Sequence, residues 1–353
     1  MSTDPRNSSG APYWAALDGL RAIAILAVVG FHTDLGAKRA LVGGFVGVDL
    51  FFVLSGALIT TLLVREYEAS GTIDLRQFYL RRLTRLYPAL LFMLAFCVAY
   101  TALCWPAPMA ADVRRDSLYT LLYVSNWVNV SRPKRLLSTT WSLSIEEWFY
   151  LVWPIVLRRL LQLKERAGSR PIVLLLVFVI VACFARRFQL TEVEFHSWRR
   201  VYFGLDTRID SLALGCLVAI VLHTAPPRTV IVTWGASISL VLFGVACLVS
   251  DSTTRWFTLF GYTGMGLLCA FLVGHAMVAP RPWRWLVSKP LVMVGKLSYS
   301  IYLWLLIVPT ILYGQPIVVQ LLALAFVSAA SYVFIEQPGL RLRRLFRRSS
   351  APR

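Results

Sequence analysis

Acidic residues are in short supply: 18 Asp and Glu stand against 36 Lys and Arg in 353 residues, a formal net charge of +18. In a soluble protein that excess would point to nucleic acid. Here the basic residues gather at the ends of apolar runs, where they set orientation and meet anionic headgroups, which argues against nucleic acid as a partner. Cysteine is also sparse. Cys97, Cys104, Cys183, Cys216, Cys247 and Cys269 include no Cys-x-x-Cys pair, and no histidine stands at zinc-like spacing from them. A disulfide scaffold and a zinc site are therefore not expected, no metal is called for, and the six read as small core residues. The chain has no internal repeat, no low-complexity tract and no soluble appendage. Residues 1–13 are polar, with Asp4 and a single arginine, Arg6. That is unlike a cleaved signal peptide and predicts that the first apolar run stays in the protein.

What the sequence has in abundance is apolar length. It is 58% hydrophobic with a mean hydropathy of +0.65, where soluble domains are nearer half apolar. The apolar residues come in runs of roughly 18–22, enough to cross a hydrocarbon core of ~30 Å. The pattern predicts an all-α fold, a polytopic transmembrane helical bundle of about ten spans, over 16–32, 42–64, 84–104, 147–164, 171–188, 203–222, 230–249, 256–278, 290–312 and 316–336. The segment 117–128 is apolar but too short to span and is expected to be interfacial or re-entrant. Most of the Lys and Arg fall on the same side as the N-terminus when the spans alternate, which predicts both termini in the cytoplasm and a multi-pass protein of the cytoplasmic (inner) membrane. The expected organisation is a cytoplasmic tail over 1–12, a membrane domain over 13–340 and a basic cytoplasmic tail over 341–353 that faces lipid headgroups.

Ionisable groups inside spans cost about 2.5–3.5 kcal/mol each at mid-span, so each calls for an explanation. Arg21 and His32 share the first span. Eleven residues is close to three full turns, so both face one way, roughly 16 Å apart along the axis. Such a pair suits a long substrate with its anion at Arg21 and its reacting centre at His32; a snorkelling arginine with a structurally satisfied histidine is the competing reading. Asp49, in the second span, needs a partner, and Gly43, Gly44, Gly47 and Gly56 around it allow close backbone approach, which serves helix packing and substrate access equally well. Ser55 is expected to bond within its own helix. Arg82 and Arg85 lie at i and i+3 on one helix face, a fork suited to phosphates, although positive-inside anchoring is the stronger reading of this motif taken alone. Glu146 and Glu147 follow a helix start near Thr139 or Ser142 and are expected near the outer membrane face, to pair with a cation, to orient a histidine or to complement the helix dipole. Asp206, Arg208 and Asp210 open the sixth span as a charge cluster expected to satisfy itself. The aromatics of 296–304 and 334–338 serve as interface anchors or as site residues with equal ease.

Together LDGLRAIAILAVVGFH, GGFVGVDLFFVLSG, FYLRRLTRLYP, TWSLSIEEWFY, TRIDSLALG and SYSIYLW, in that order over about residues 13–340, resemble the acyltransferase-3 family of integral membrane acyltransferases. The resemblance implies an acyltransferase for groups other than amino-acyl groups. Acetyl-CoA or another acyl-CoA would be the donor. The acceptor would be a hydroxyl of a carbohydrate, foremost a surface polysaccharide, or of a secreted small molecule such as a macrolide. In the family the Arg-x10-His motif, here Arg21 and His32, is essential, and the Arg-x-x-Arg motif, here Arg82 and Arg85, is linked to the donor. Family members often carry histidine after SYSIYLW; Leu305 stands there instead, which weakens any role for the ninth span. Some members have a C-terminal esterase-like domain. This chain ends at Arg353 without one and is expected to act as a membrane unit.

An alcohol is a weak nucleophile near neutral pH, and histidine, with a reference pKa of about 6.5, is suited to taking its proton. His32 is therefore expected to be the general base, with Arg21, Arg82 and Arg85 on the phosphates of coenzyme A and Glu146 or Glu147 orienting the site. A second route has His32 carry the acyl group itself. A transporter of a glycan intermediate is the rival class; it would share the buried charges and the basic mouth, but the sequence has neither inverted repeats nor matched broken helices.

Overall fold

The computed structural model describes residues 13–35, 38–132, 135–194, 197–225, 228–279 and 282–339. The expected tails over 1–12 and 341–353 lie outside the described residues. The described residues are almost entirely helical: α1 (Ala15–His32), α2 (Gly47–Ser70), α3 (Leu75–Cys104), α4 (Ala107–Leu121), α5 (Ser125–Ser131), α6 (Trp141–Ala167), α7 (Arg170–Phe188), α8 (Trp198–Phe203), α9 (Leu205–Thr224), α10 (Thr229–Val249), α11 (Tyr262–Val278), α12 (Lys289–Trp304), α13 (Ile307–Ile311) and α14 (Ile317–Ser331). Two two-residue strands, β1 (Asp34–Leu35) and β2 (Lys38–Arg39), pair antiparallel just past the end of α1. Three helices run on or begin in wider π turns, at Gln189–Val193 after α7, Phe257–Gly261 before α11 and Tyr332–Glu336 after α14.

Seven helical segments among the described residues are long and apolar enough to cross a membrane: 15–32, 44–70, 75–104, 170–193, 229–249, 257–278 and 317–339. Each coincides with an expected span. The other three expected spans are helical but differ in kind. α6 carries Glu146, Glu147, Arg158 and Arg159, and α9 carries Asp206, Arg208 and Asp210. α12 is only 16 residues long and stops at Trp304, before the short α13. The segment 117–128 forms no span of its own. It joins α4 to α5 through Tyr123, which adopts a left-handed backbone (φ +52°) that side chains rarely take.

The innermost helices are α2 and α9, and two glycines set how closely they pass. A Cβ on Gly56 would lie 2.1 Å from the Leu212 carbonyl oxygen, and one on Gly215 would lie 2.2 Å from that of Val53. Gly43, Gly44 and Gly47 meet neighbouring backbone in the same way, at Ala246, Ala27 and Ala24. This is the small-residue packing by which membrane helices approach each other in the absence of a hydrophobic driving force. Gly215→Ala is expected to push α9 off α2 and to destabilise the fold by about 1–3 kcal/mol, the usual cost of overpacking. Thermal unfolding in detergent reads this, and an unshifted midpoint would show that the two backbones have room to spare.

Close approach of α2 and α9 brings four fully buried charges together. Asp49 of α2 pairs with Arg208 of α9 at 3.0 Å and accepts from Ser211 Oγ at 3.0 Å. The Arg208 guanidinium also lies 3.8 Å from the Tyr262 ring centre, with the rings of Tyr202 and Trp141 at 5.4 and 5.6 Å. Next to it Arg187 of α7 pairs with Asp210 at 2.9 Å and donates to the Thr207 carbonyl at 2.6 Å, while Thr263 Oγ1 donates to Asp210 at 2.7 Å. The three charges that open α9 were expected to satisfy one another; instead each pairs outside the trio, Arg208 with Asp49, Asp210 with Arg187, and Asp206 with Arg200 and Arg186. The six cysteines are free thiols, all buried except Cys104.

Candidate active site

α1 carries the two residues that frame the site. Arg21 sits near its start and forms an ion pair with Asp18 at 2.9 Å; the second Asp18 oxygen accepts from Tyr13 at 2.8 Å. His32 is the last residue of the helix. Its Nδ1 lies 2.9 Å from the Val28 carbonyl oxygen. A carbonyl only accepts, so Nδ1 carries the proton in this bond and Nε2 is left with a lone pair, the tautomer that a general base requires.

The two residues open onto two different cavities. Arg21 lines a narrow one of about 100 Å³ together with Arg82 and Arg85 from α3, Glu146, Glu147 and Tyr150 from α6, and Ser55 from α2. His32 lines a wide one of about 1110 Å³, walled by α4, α5, α8 and the turn after α1. Val48 and Tyr302 line both. Tyr302 is fixed at that junction: its hydroxyl donates to the Thr139 carbonyl at 2.8 Å and accepts from Ser142 Oγ at 2.6 Å.

The narrow cavity balances charge. Ser55 Oγ donates to Glu146 Oε1 at 2.8 Å, across helices rather than within α2. Arg82 and Arg21 act electrostatically on Glu146, and Arg82 on Glu147. The Arg82 guanidinium sits 4.2 Å from the Tyr150 ring centre. Glu336, buried in the wide turn after α14, accepts from Ser300 Oγ at 3.0 Å and lies in the field of Arg85. Glu146 and Glu147 are therefore gathered with the arginines. They line a different cavity from His32, whose Nδ1 is bound by its own helix. Sequence reasoning left Tyr302 open between interface anchor and site residue and gave no role to Glu336, although both lie in motifs it singled out. Their signal was the burial of a polar group in an apolar segment, which a belt of interfacial aromatics equally explains.

The wide cavity is rich in arginine. Arg39, Arg115, Arg132, Arg135 and Arg199 line it, with Asp112, Asp116 and Asp251. Arg115 is bridged to Asp112 and Arg135 to Asp116, and Arg135 also donates to Asn129 Oδ1 at 2.9 Å. Burial pushes the Asp116 carboxyl above the usual carboxylate range, against the pull of Arg135. Trp105 and Trp198 add flat apolar surface. Among the described residues no three His, Cys, Asp or Glu side chains are grouped to hold a metal.

This geometry offers a half-buried imidazole whose Nε2 is left as an acceptor, a spacious compartment on its side and an arginine-lined recess beyond a tyrosine. The family described as "Acyltransferase domain" matches residues 14–336 of the chain. The chain is 34% identical over 352 residues to O-acetyltransferase OatA of Staphylococcus aureus (strain NCTC 8325 / PS 47), a match that takes in 92% of this chain and 57% of that protein. It has the same identity and coverage with the putative O-acetyltransferases SAS0844 of strain MSSA476 and SAR0937 of strain MRSA252. The chain thus spans a little over half the length of these curated relatives. No solved structure matches it significantly.

Proposed function

The chain belongs to the acyltransferase-3 family, and from that membership we propose that it is a membrane O-acyltransferase moving an acyl group, acetyl in the first instance, from acyl-CoA to a hydroxyl of a surface polysaccharide. The relatives named O-acetyltransferase support the reaction type. The observation that carries the reading is the meeting of the two cavities at Val48 and Tyr302, with His32 on one side and Arg21, Arg82 and Arg85 on the other. A donor with a phosphate-rich end and a distant thioester suits that division.

In the proposed reaction the arginines hold the phosphates of coenzyme A, as planar guanidinium groups do well. The thioester reaches past Tyr302 toward His32. His32 Nε2 takes the acceptor hydroxyl proton while the oxygen attacks the thioester carbonyl. The tetrahedral intermediate collapses with cleavage of the C–S bond, and the imidazolium returns its proton to the departing thiolate. Glu146 and Glu147 keep the arginines in place as counter-charges. With both termini in the cytoplasm the arginine recess opens toward the compartment that holds acyl-CoA, and the wide cavity opens outward. Residues 13–340 form the catalytic membrane domain in this reading.

The deciding experiment is release of free coenzyme A thiol by purified protein in lipid vesicles, with acetyl-CoA and a hydroxylated polysaccharide. Acceptor-dependent release together with an added acyl mass on the polysaccharide is expected; passage of a glycan across the bilayer with no thiol released would sink the enzyme and leave a transporter. Arg82→Ala and Arg85→Ala are each expected to raise the KM for acetyl-CoA by about 10–100-fold, the worth of one charge-assisted hydrogen bond, with a smaller change in kcat. An unchanged KM would remove them from the donor site.

A further inference from the structure

The charge of the wide cavity is not accounted for by acyl transfer to a neutral sugar. Of its five arginines, two are neutralised, Arg115 by Asp112 and Arg135 by Asp116. Among the described residues Arg39, Arg132 and Arg199 have no carboxylate partner. The remaining acid, Asp251, accepts instead from the backbone N–H and hydroxyl of Thr253, both at 2.8 Å. Arg199 Nε is buried and has no hydrogen-bond partner among the described residues. An arginine nitrogen shut off from solvent and unpaired is costly unless a ligand completes it. The Arg39 guanidinium is held 4.0 Å from the ring centre of Phe31, the residue next to His32, and so stands beside the candidate base. A cleft lined with one sign of charge between low-dielectric walls concentrates ligands of the opposite sign.

We propose that this cavity selects an acidic acceptor: a saccharide bearing a carboxylate or phosphate, whose anion is held by Arg132, Arg199 and Arg39 while a nearby hydroxyl faces His32. The inference rests on the acyl-transfer reading for its use of His32, but not for the binding itself. Trp105 and Trp198 offer the flat apolar faces on which sugar rings stack. The three arginines come from three separate stretches of chain, β2, the end of α5 and α8, so the pocket exists only in the folded bundle.

The test begins with binding rather than turnover. Purified full chain in phosphatidylcholine nanodiscs is titrated with a uronic-acid oligosaccharide, its carboxyl-reduced counterpart and a phosphorylated oligosaccharide. The acidic and phosphorylated ligands are expected to bind at least tenfold more tightly than the reduced one, and the preference should shrink as salt rises. Equal affinity for the reduced ligand overturns the proposal without any variant having to fold. Displacement of the acidic ligand by phosphatidylglycerol would reassign the arginines to lipid headgroups, and displacement by acetyl-CoA would reassign them to the donor; either outcome overturns it. Arg132→Gln and Arg199→Gln should each weaken acidic-ligand binding about tenfold. If turnover is observed, each should raise the KM for the acidic acceptor and leave that for acetyl-CoA within twofold. Selective binding with no thiol release from any acceptor would instead refute acyl transfer while upholding the anion pocket.

Discussion

Replacing His32 by alanine is expected to lower kcat for acetyl transfer by about 10²–10⁴-fold, the range by which a positioned general base speeds proton transfer. Folding should be spared. Among the described residues the His32 side chain bonds only to Val28 in its own helix, and it borders a cavity. The variant should therefore insert, purify and melt like the parent. Retained activity would remove His32 from the mechanism, and lost activity with lost folding would leave it a structural residue. Added imidazole can reach a cavity of about 1110 Å³ and should restore part of the lost rate to the alanine protein. Rapid quench of the parent with labelled acetyl-CoA and no acceptor separates the two chemical routes. Label trapped on the protein would make His32 a nucleophile, and its absence on the time scale of one turnover would leave it a base.

The largest effect on stability should follow from Arg208→Ala. The substitution strands Asp49 fully buried with no counter-charge. Breaking such a pair costs about 3–5 kcal/mol, a large part of the stability of a typical domain. The arginine also fills a box formed by Tyr262, Tyr202 and Trp141, so the loss is one of packing as well as charge. Detergent-solubilised protein should show a sharply lower unfolding midpoint or fail to purify as a single species. The double replacement Asp49→Leu with Arg208→Met should recover much of the loss, because apolar side chains of similar size often match a buried ion pair. An Arg208→Ala protein that melts with the parent would mean that Asp49 finds another partner or is neutral.

The spans were largely legible in the sequence because a bilayer demands long apolar runs, and seven helices among the described residues meet that demand. The need of Asp49 for a partner was legible for the same reason, whereas its neighbouring glycines suited substrate access as well as the close packing they serve. What could not be read was which distant element answers each need. Arg208 lies 159 residues from Asp49, and Glu146 lies 91 residues from Ser55. A helical pattern says which face a residue is on, but not which helix crosses it there. Arg21 and His32 illustrate the limit. Their shared helix makes them neighbours in sequence reasoning, yet they serve separate cavities. The walls of the wide cavity were hardest to foresee, since they come from short helices and turns whose periodicity is too brief to carry a signal.

The single tyrosine between the two cavities gives the proposed reaction a direction. In that reaction the phosphates of coenzyme A stay in the arginine recess, and its thioester end is directed past Tyr302 into the other cavity. Bond exchange and membrane crossing then become one event. The thioester's own free energy drives the export, with no ion gradient and no carrier lost from the cell, and a polymer outside is altered by a metabolite that exists only within.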